Sequence, residues 1–500
     1  MAGSSAPASA SASAKRKHST LDAPVSPPPS RRKLQSSTTK SAVSSFFTPA
    51  SQKLPEKINW QERSPDESSP TTLLVAKYIP ENSSSGFGAH DNKNKKVAAF
   101  DFDSTLIKTS SGKKFASNSE DWKWWDPSVP GRLRKLHNEE GYVAFRFQEM
   151  GLNNQHRLSY RVVIVSNQGG IALKADPKVS KSNQSKVAVF KAKVSAVLNQ
   201  LDLPVNLYAA TEKDIYRKPR TGMWTELLDD YDIHPDDLDL EHSLFVGDAA
   251  GRHAEAGRAK DFSCSDRDFA GNIGLKFQTP EEFFLGESPR PFARTFEPSE
   301  FVARSAAEVF APFLKKNKQD IVMFCGSPGA GKSTFYWKNL EPIGYERVNQ
   351  DILKTREKCL KVADEFLKEG KSVAVDNTNA DVAVRKKWVD LAAKHSVPIR
   401  CVLFSATTML SEHNAAVRAF NKSVSDLPLL TNAMHSIPTK SCCMQSLVTY
   451  GRWHVSMAFK GFTSRYHAPQ LSEGFQDITE VAFQFQGTDT EKEVWLRHWT

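Results

Sequence analysis

The chain is 500 residues long, 39% of them hydrophobic, with a formal charge of +10; single cores stop growing well below that length, so more than one buried core is expected. Nine Lys or Arg against Asp22 and Glu56 put +7 into residues 1 to 60 and leave +3 for the other 440, so basicity belongs mainly to the N-terminal stretch and does not by itself give the folded part a groove for a polyanion. The six cysteines, Cys264, Cys325, Cys359, Cys401, Cys442 and Cys443, form no C-x-x-C pair that would hold zinc and read as reduced thiols; no apolar run is long enough to cross a bilayer, and the N-terminus lacks the apolar core of a secretory signal.

Residues 1–57 are Ser-, Ala-, Pro- and Thr-rich with little to bury, so a disordered tail is expected there. Lys15-Arg16-Lys17 and Arg31-Arg32-Lys33 flank a proline-rich spacer, the layout of a bipartite nuclear import signal, and a nuclear location is expected. A mitochondrial presequence is the rival, but residues 2 to 20 lack the bulky apolar face it needs. Val43 to Phe47 resembles the hydrophobic half of a sliding-clamp-binding box, with Phe46 and Phe47 as the aromatic pair and Lys40 where Gln usually stands; a chance aromatic pair is the competing explanation.

From about Lys95, apolar runs at Val97 to Phe100, Val162 to Val165 and Leu244 to Val246 alternate with helical patterns such as Val187 to Leu201. This rhythm predicts a parallel α/β sheet over residues 58–288. Val97 to Leu106 carries Asp101 and Asp103 past the carboxyl end of the first strand, where open α/β sheets place their chemistry. Asp101 could attack phosphorus while Asp103 protonates the leaving oxygen and later activates water. Ser166, in Val165-Ser166-Asn167-Gln168-Gly169-Gly170, offers a hydroxyl for a phosphate, and Lys218 a cation for the transferring phosphoryl group. Asp248 ends a further strand, so Asp101, Asp103 and Asp248 are the expected oxygen ligands of a magnesium ion. Trp122, Trp124 and Trp125 around Lys123 could stack unpaired bases, although packing explains them better. Lys191 and Lys193, with Arg217 and Arg220, could line a substrate path, although such density is usually a solvated face. Together the four acidic and basic motifs, each after its strand, resemble the haloacid dehalogenase superfamily.

A Pro-containing stretch, Pro289 to Pro298, separates this series from a second one at Ile321 to Cys325, Ser372 to Val375 and Ile399 to Phe404, which predicts a second α/β domain over 289–500. Gly326-Ser327-Pro328-Gly329-Ala330-Gly331-Lys332-Ser333 follows a strand and opens a helix, as a Walker A loop must. Gly326, Gly329 and Gly331 would let amides cradle ATP phosphates; Lys332 would reach the terminal oxygens, Ser333 would ligate magnesium, and Thr334 extends the set. Asp351, after Arg347-Val348-Asn349-Gln350, is placed to take the proton of an attacking hydroxyl. Asp376 reads equally as a capping residue or a catalytic acid. Arg418, on a helix with His413 and Asn414, could close over the phosphates, and Ile478 to Phe485 reads as a closing strand.

With YRKPRTGMW from Tyr216, VGDAAGR from Val246 and DNTN from Asp376, the chain resembles the polynucleotide kinase 3′-phosphatase family over roughly residues 56 to 487. The resemblance implies removal of 3′-phosphates and ATP-dependent phosphorylation of 5′-hydroxyls at DNA breaks. It makes Asp101 the nucleophile, Asp103 the general acid and base, Asp248 a magnesium ligand, Lys332 and Ser333 nucleotide contacts, Asp351 the kinase base and Arg418 the lid arginine. A monomer acting on DNA ends is expected. The sequence departs from the family in four places: no forkhead-associated domain is recognisable, Gln350 stands where many members have Arg, and Val143 to Tyr160 and Val424 to Val455 interrupt the likeness as loops or as translated introns. A small-molecule phosphatase fused to a metabolic kinase, RNA-end repair, and a catalytically idle nuclear adaptor are the alternatives.

Overall fold

Alternation along each short strand is what builds the cores. Strand β3, Val97–Phe100, sends Ala98 and Phe100 into one apolar cluster and Val97 and Ala99 into another, because successive side chains point to opposite faces. Strands covered on both faces must be apolar throughout, which is why these runs carry no polar alternation. The computed structural model describes residues 57–80, 96–138, 160–173, 181–255, 257–305, 313–421 and 453–500. The two basic clusters, Phe46 and Phe47, Cys442 and Cys443, and most of the two interrupting segments lie outside the described residues. Lys57–Thr500 forms one compact unit.

The first sheet has seven strands: β1 (Ile58–Arg63), β2 (Leu73–Tyr78), β3, β6 (Arg161–Asn167), β7 (Val205–Ala210), β8 (Leu244–Val246) and β9 (Lys276–Gln278), in the order β1-β2-β7-β6-β3-β8-β9. β7, β6, β3, β8 and β9 run parallel, while β2 adds antiparallel to β7 and β1 to β2. After β3 the chain builds first to one side and then to the other, so the strand order reverses at β3 and β8, and a crevice opens at their carboxyl ends. The small hairpin of β4 (Ile107–Lys108) and β5 (Lys123–Trp124) stands beside it, with Trp122, Trp124 and Trp125 packed against the first core.

The second sheet is wholly parallel. It comprises β10 (Ile321–Cys325), β11 (Tyr345–Val348), β12 (Ser372–Val375), β13 (Ile399–Phe404) and β14 (Ile478–Val481), in the order β11-β12-β10-β13-β14. β10 again divides its residues, Ile321, Met323 and Cys325 to one cluster, Val322 and Phe324 to the other. Its order reverses between β10 and β13, where the glycine loop lies. The closing strand is shorter than the alternation from Ile478 to Phe485 predicts: it ends at Val481, and Phe483 and Phe485 instead pack on Trp495, at ring separations of 5.3 and 5.6 Å. The four described cysteines are free thiols, and no helix among the described residues is long and apolar enough to cross a membrane.

Candidate active sites

Where β3 stops, the backbone is still tied to β8, Asp101 N–H donating to the Val246 carbonyl at 2.9 Å, so the Asp101 side chain is held at the crevice and buried. Asp101, Asp248 and Asp266 each bring a carboxylate oxygen within 4.8 Å of the others. Lys218 is the cation among them: its Nζ lies 2.7 Å from Asp101 Oδ1, 2.8 Å from Asp266 Oδ1 and 2.7 Å from the Val165 carbonyl. Burial opposes its charge, but Asp101 and Asp266 outweigh burial and hold the ammonium above its ordinary range. Three carboxylates against one ammonium leave negative charge uncompensated. Accordingly burial, with Asp266 and Asp103 adding to it against Lys218, pushes Asp101 up to about 7; burial and Asp101 push Asp248 well above the carboxylate range. An all-oxygen set, two of its carboxylates buried and Asp248 half-buried, with excess negative charge fits a hard divalent cation.

Asp103 stands outside this cluster. Its exposed carboxylate accepts from Gln168 Nε2 at 2.6 Å and Lys193 Nζ at 2.9 Å, because Ser104, at φ 65°, turns the chain just beyond it. Of the expected carboxylate ligands, Asp101 and Asp248 are together; the third place in the cluster is taken by Asp266. Ser166 is buried and accepts from the same Gln168 amide at 3.0 Å, so Gln168 links the strand-end hydroxyl to Asp103. Thr105 Oγ1 accepts from Asp248 N–H at 3.1 Å.

Sequence reasoning missed Asp266, Gln168 and the burial of Lys193. Asp266 lies in the first turn of the helix Ser265–Ile273 and exchanges bonds with Ala249, its N–H donating to the Ala249 carbonyl and its Oδ2 accepting from Ala249 N–H, both at 3.0 Å. Its approach to the chain explains Gly247, where an added Cβ would lie 2.3 Å from Asp266 Oδ2. The one available signal was an acid in the first turn of a helix shortly after VGD. Lys193, read as part of a solvated face, is 8% exposed and lies over the rings of Phe102 and Phe190. Lys191 remains at the edge, 3.7 Å from Glu62.

In the second half, Lys332 is buried and donates to the carbonyls of Gly326 (3.0 Å) and Ser327 (2.6 Å) across its own loop. Burial pushes its ammonium down to about 8, Arg418 adding to the effect and Asp376 opposing it. Ser333 Oγ donates to Asp376 Oδ2 at 2.7 Å, and Arg347 reaches both, through Nε to Asp376 at 2.8 Å and Nη2 to Ser333 Oγ at 3.1 Å. Asp376 is therefore buried beside the loop, in contact with a residue expected to touch metal; Arg347 was not foreseen. Asn349 caps the short helix Gln350–Leu353, accepting from Asp351 N–H at 2.9 Å, and its amide donates to the Asp376 carbonyl at 2.6 Å. Asp351 is thus exposed on a turn fixed to the Asp376 strand end.

The helix Thr408–Phe420 crosses the loop closely. At Gly329, φ +79°, a Cβ would meet the Ser411 carbonyl at 2.4 Å and Arg418 Nη2 at 3.5 Å, so the Arg418 guanidinium lies beside the loop. Asn414 Nδ2 donates to the Gly329 carbonyl at 3.2 Å. Gly326 and Gly331 flank this contact, and Thr334 lies beside Ser333 on the helix Lys332–Phe335.

Residues 96–284 match the family described as polynucleotide kinase 3 phosphatase, and residues 321–358 and 354–432 match the family described as AAA domain. The chain is 38% identical to the bifunctional polynucleotide phosphatase/kinase of Schizosaccharomyces pombe over 78% of its own length and 81% of that protein. It is 30% identical to polynucleotide 3′-phosphatase ZDP of Arabidopsis thaliana over 40% of this chain and 25% of that one. It is 27% identical to the polynucleotide 3′-phosphatase of Saccharomyces cerevisiae over 39% of this chain and 90% of that protein.

Proposed function

The chain belongs to the bifunctional polynucleotide phosphatase/kinase family, and from that membership we propose which residues carry its two reactions, on which ends, and where in the cell. The enzyme removes 3′-phosphates and phosphorylates 5′-hydroxyls. We assign residues 58–288 to the phosphatase and 289–500 to the kinase, DNA strand breaks as the substrate and the nucleus as its place of action.

In the phosphatase, an Asp101 carboxylate oxygen attacks the 3′-phosphorus; the bond between phosphorus and the 3′-oxygen breaks as Asp103 gives that oxygen a proton. Asp103 then takes a proton from the water that releases inorganic phosphate and regenerates Asp101. Gln168 and Lys193 hold Asp103 in position, and Lys218 and Ser166 face the phosphoryl oxygens. Asp101, Asp248 and Asp266 would hold magnesium, which when bound offsets the charge of the phosphoryl group. In the kinase, ATP is the co-substrate. Lys332 turns from its own loop carbonyls to the phosphates, Arg418 closes over them, and Asp351 takes the proton of the 5′-hydroxyl as it attacks the γ-phosphorus and ADP leaves. Ser333 and Asp376 are the oxygens that would hold magnesium there.

The observation that carries this reading is Lys218 locked at 2.7 Å to Asp101 inside a three-carboxylate crevice on the same chain as a buried P-loop lysine. The test is a DNA oligonucleotide with a 3′-phosphate and a 5′-hydroxyl, given magnesium and ATP, with an RNA strand in parallel. Asp101→Ala is expected to abolish 3′-dephosphorylation with 5′-phosphorylation unchanged, and Lys332→Ala the reverse. Loss of both activities in either folded variant contradicts two independent sites, and preferential processing of RNA overturns the choice of DNA.

A further inference from the structure

The two halves meet at a side chain that neither reaction has claimed. Asn272 lies on the helix Ser265–Ile273, six residues beyond Asp266 and therefore about 9 Å along the axis. Its amide is fully used: Nδ2 donates to the Pro219 carbonyl at 2.9 Å and to the His498 carbonyl at 2.7 Å, and Oδ1 accepts from His498 N–H at 2.8 Å. Pro219 follows Lys218 directly. Asn167 takes the other side of that backbone, its Oδ1 accepting from Lys218 N–H at 2.9 Å and its Nδ2 donating to the Lys218 carbonyl at 3.1 Å. The main chain that presents Lys218 to Asp101 is thus clamped from the sheet by Asn167 and from the Asp266 helix by Asn272.

The residue gripping Asn272 belongs to the kinase half, and it is anchored there. Trp495 and Trp499, on either side of His498, are buried with Leu410 and Val417 of the lid helix. His413 donates to the Trp495 carbonyl at 2.8 Å, and Trp495 Nε1–H donates to Asn414 Oδ1 at 2.8 Å, the asparagine that reaches Gly329. A second bridge runs nearby, the Arg220 guanidinium lying 4.2 Å from the Phe420 ring at the end of the same helix.

We propose that Asn272 is a positioning residue of the phosphatase, and that the C-terminal segment Trp495–His498 of the kinase half is the brace that holds it. Resting on the role assigned above to Lys218, the proposal makes phosphatase turnover depend on a segment of the other half. Displacing a phosphoryl-stabilising cation by about 1 Å costs up to ~100-fold in rate, and the loss falls on kcat where ground-state binding is unaffected.

The test uses the full-length enzyme and follows both activities with steady-state kinetics. Asn272→Ala is expected to lower phosphatase kcat by about 10-fold with KM within about 2-fold, while kinase kcat stays within about 2-fold and certifies the fold. Asn272→Asp keeps the acceptor for His498 N–H but removes both donors, and is expected to lose phosphatase kcat similarly. His498→Pro removes the N–H of the brace at a position whose predecessor, Arg497, is already extended (ψ 154°), as proline requires. It should lower phosphatase kcat about 3-fold, and the Asn272→Ala/His498→Pro double variant should fall no further than Asn272→Ala alone, as coupled positions do. Unchanged phosphatase kcat in any single variant, a change confined to KM, or losses that multiply in the double variant would overturn the proposal. Lys218→Ala separates the two readings: activity retained there defeats the assignment of Lys218, whereas activity lost there but kept in Asn272→Ala defeats the brace alone.

Discussion

Asp266 faces two neighbours with one carboxylate: Oδ1 pairs with Lys218 and Oδ2 takes the Ala249 N–H. Asp266→Asn removes one of the two counter-charges that outweigh burial at Lys218 and the charge of one of the three carboxylates proposed to hold magnesium. The expected result is a phosphatase at least ~100-fold slower, needing more magnesium for half-maximal activity, with kinase kcat unchanged; a magnesium titration of both activities checks it. Gly247→Ala approaches the same carboxylate from the main chain. Its Cβ would lie 2.3 Å from Oδ2 of a carboxylate already paired with Lys218, so Asp266 must shift. Overpacking of this kind costs about 1–3 kcal/mol, and urea unfolding should register that loss together with the phosphatase defect.

At the scale of elements, the helix Thr408–Phe420 carries a buried titratable group. His413 donates through Nε2 to the Trp495 carbonyl, while its Nδ1 has no partner among the described residues, the pattern of a neutral ring. Burial, opposed by that hydrogen bond and reinforced by His498, takes it from its ordinary 6.5 to about 4. The unfolded chain binds this proton below 6.5 and the folded one only near 4, so the contribution to stability is complete above pH 6.5 and is lost as pH falls towards 4. By pH 5 the loss amounts to about 2 kcal/mol. Urea unfolding at pH 7 and pH 5 should show a smaller drop in midpoint for His413→Gln, which keeps a donor for Trp495 and has no proton to gain. This helix also marks the limit of what the sequence discloses. Strands buried on both faces, such as Val97–Phe100 and Ile321–Cys325, were legible because a short apolar run has few alternatives, Asp101 and Asp248 because each lies just past its strand, and Lys332 because the glycine loop before it has a fixed spacing. Asp266 against Lys218, Arg347 against Asp376 and Asn272 against His498 were not: each pair joins separate elements, and its meeting depends on strand order and helix placement rather than local pattern. Phe483 and Phe485 alternate like strand residues, but their rings pack on Trp495 of the helix Asp489–Leu496, a meeting that local alternation does not disclose.

Across the whole molecule, the charge is divided unevenly. Met1–Glu56 carries eight Lys or Arg against two acids, whereas the compact unit Lys57–Thr500 holds both reaction sites. Binding of a polynucleotide by scattered cations releases counterions and steepens the salt dependence; catalysis depends on geometry and does not. Deleting Met1–Glu56 should therefore weaken binding of a DNA duplex most at low salt. The slope of log affinity against log salt should become shallower by about 0.9 for each tail cation that touches a phosphate. At saturating substrate, both kcat values should match the full chain, since Lys218, Asp266 and Lys332 are all held by residues within the compact unit. Fluorescence anisotropy across a salt series, paired with kinetics on the same oligonucleotide, separates the two effects. An unchanged slope would place the phosphate-contacting cations in the folded unit, whose basic residues would then have to be locally clustered despite its small net charge.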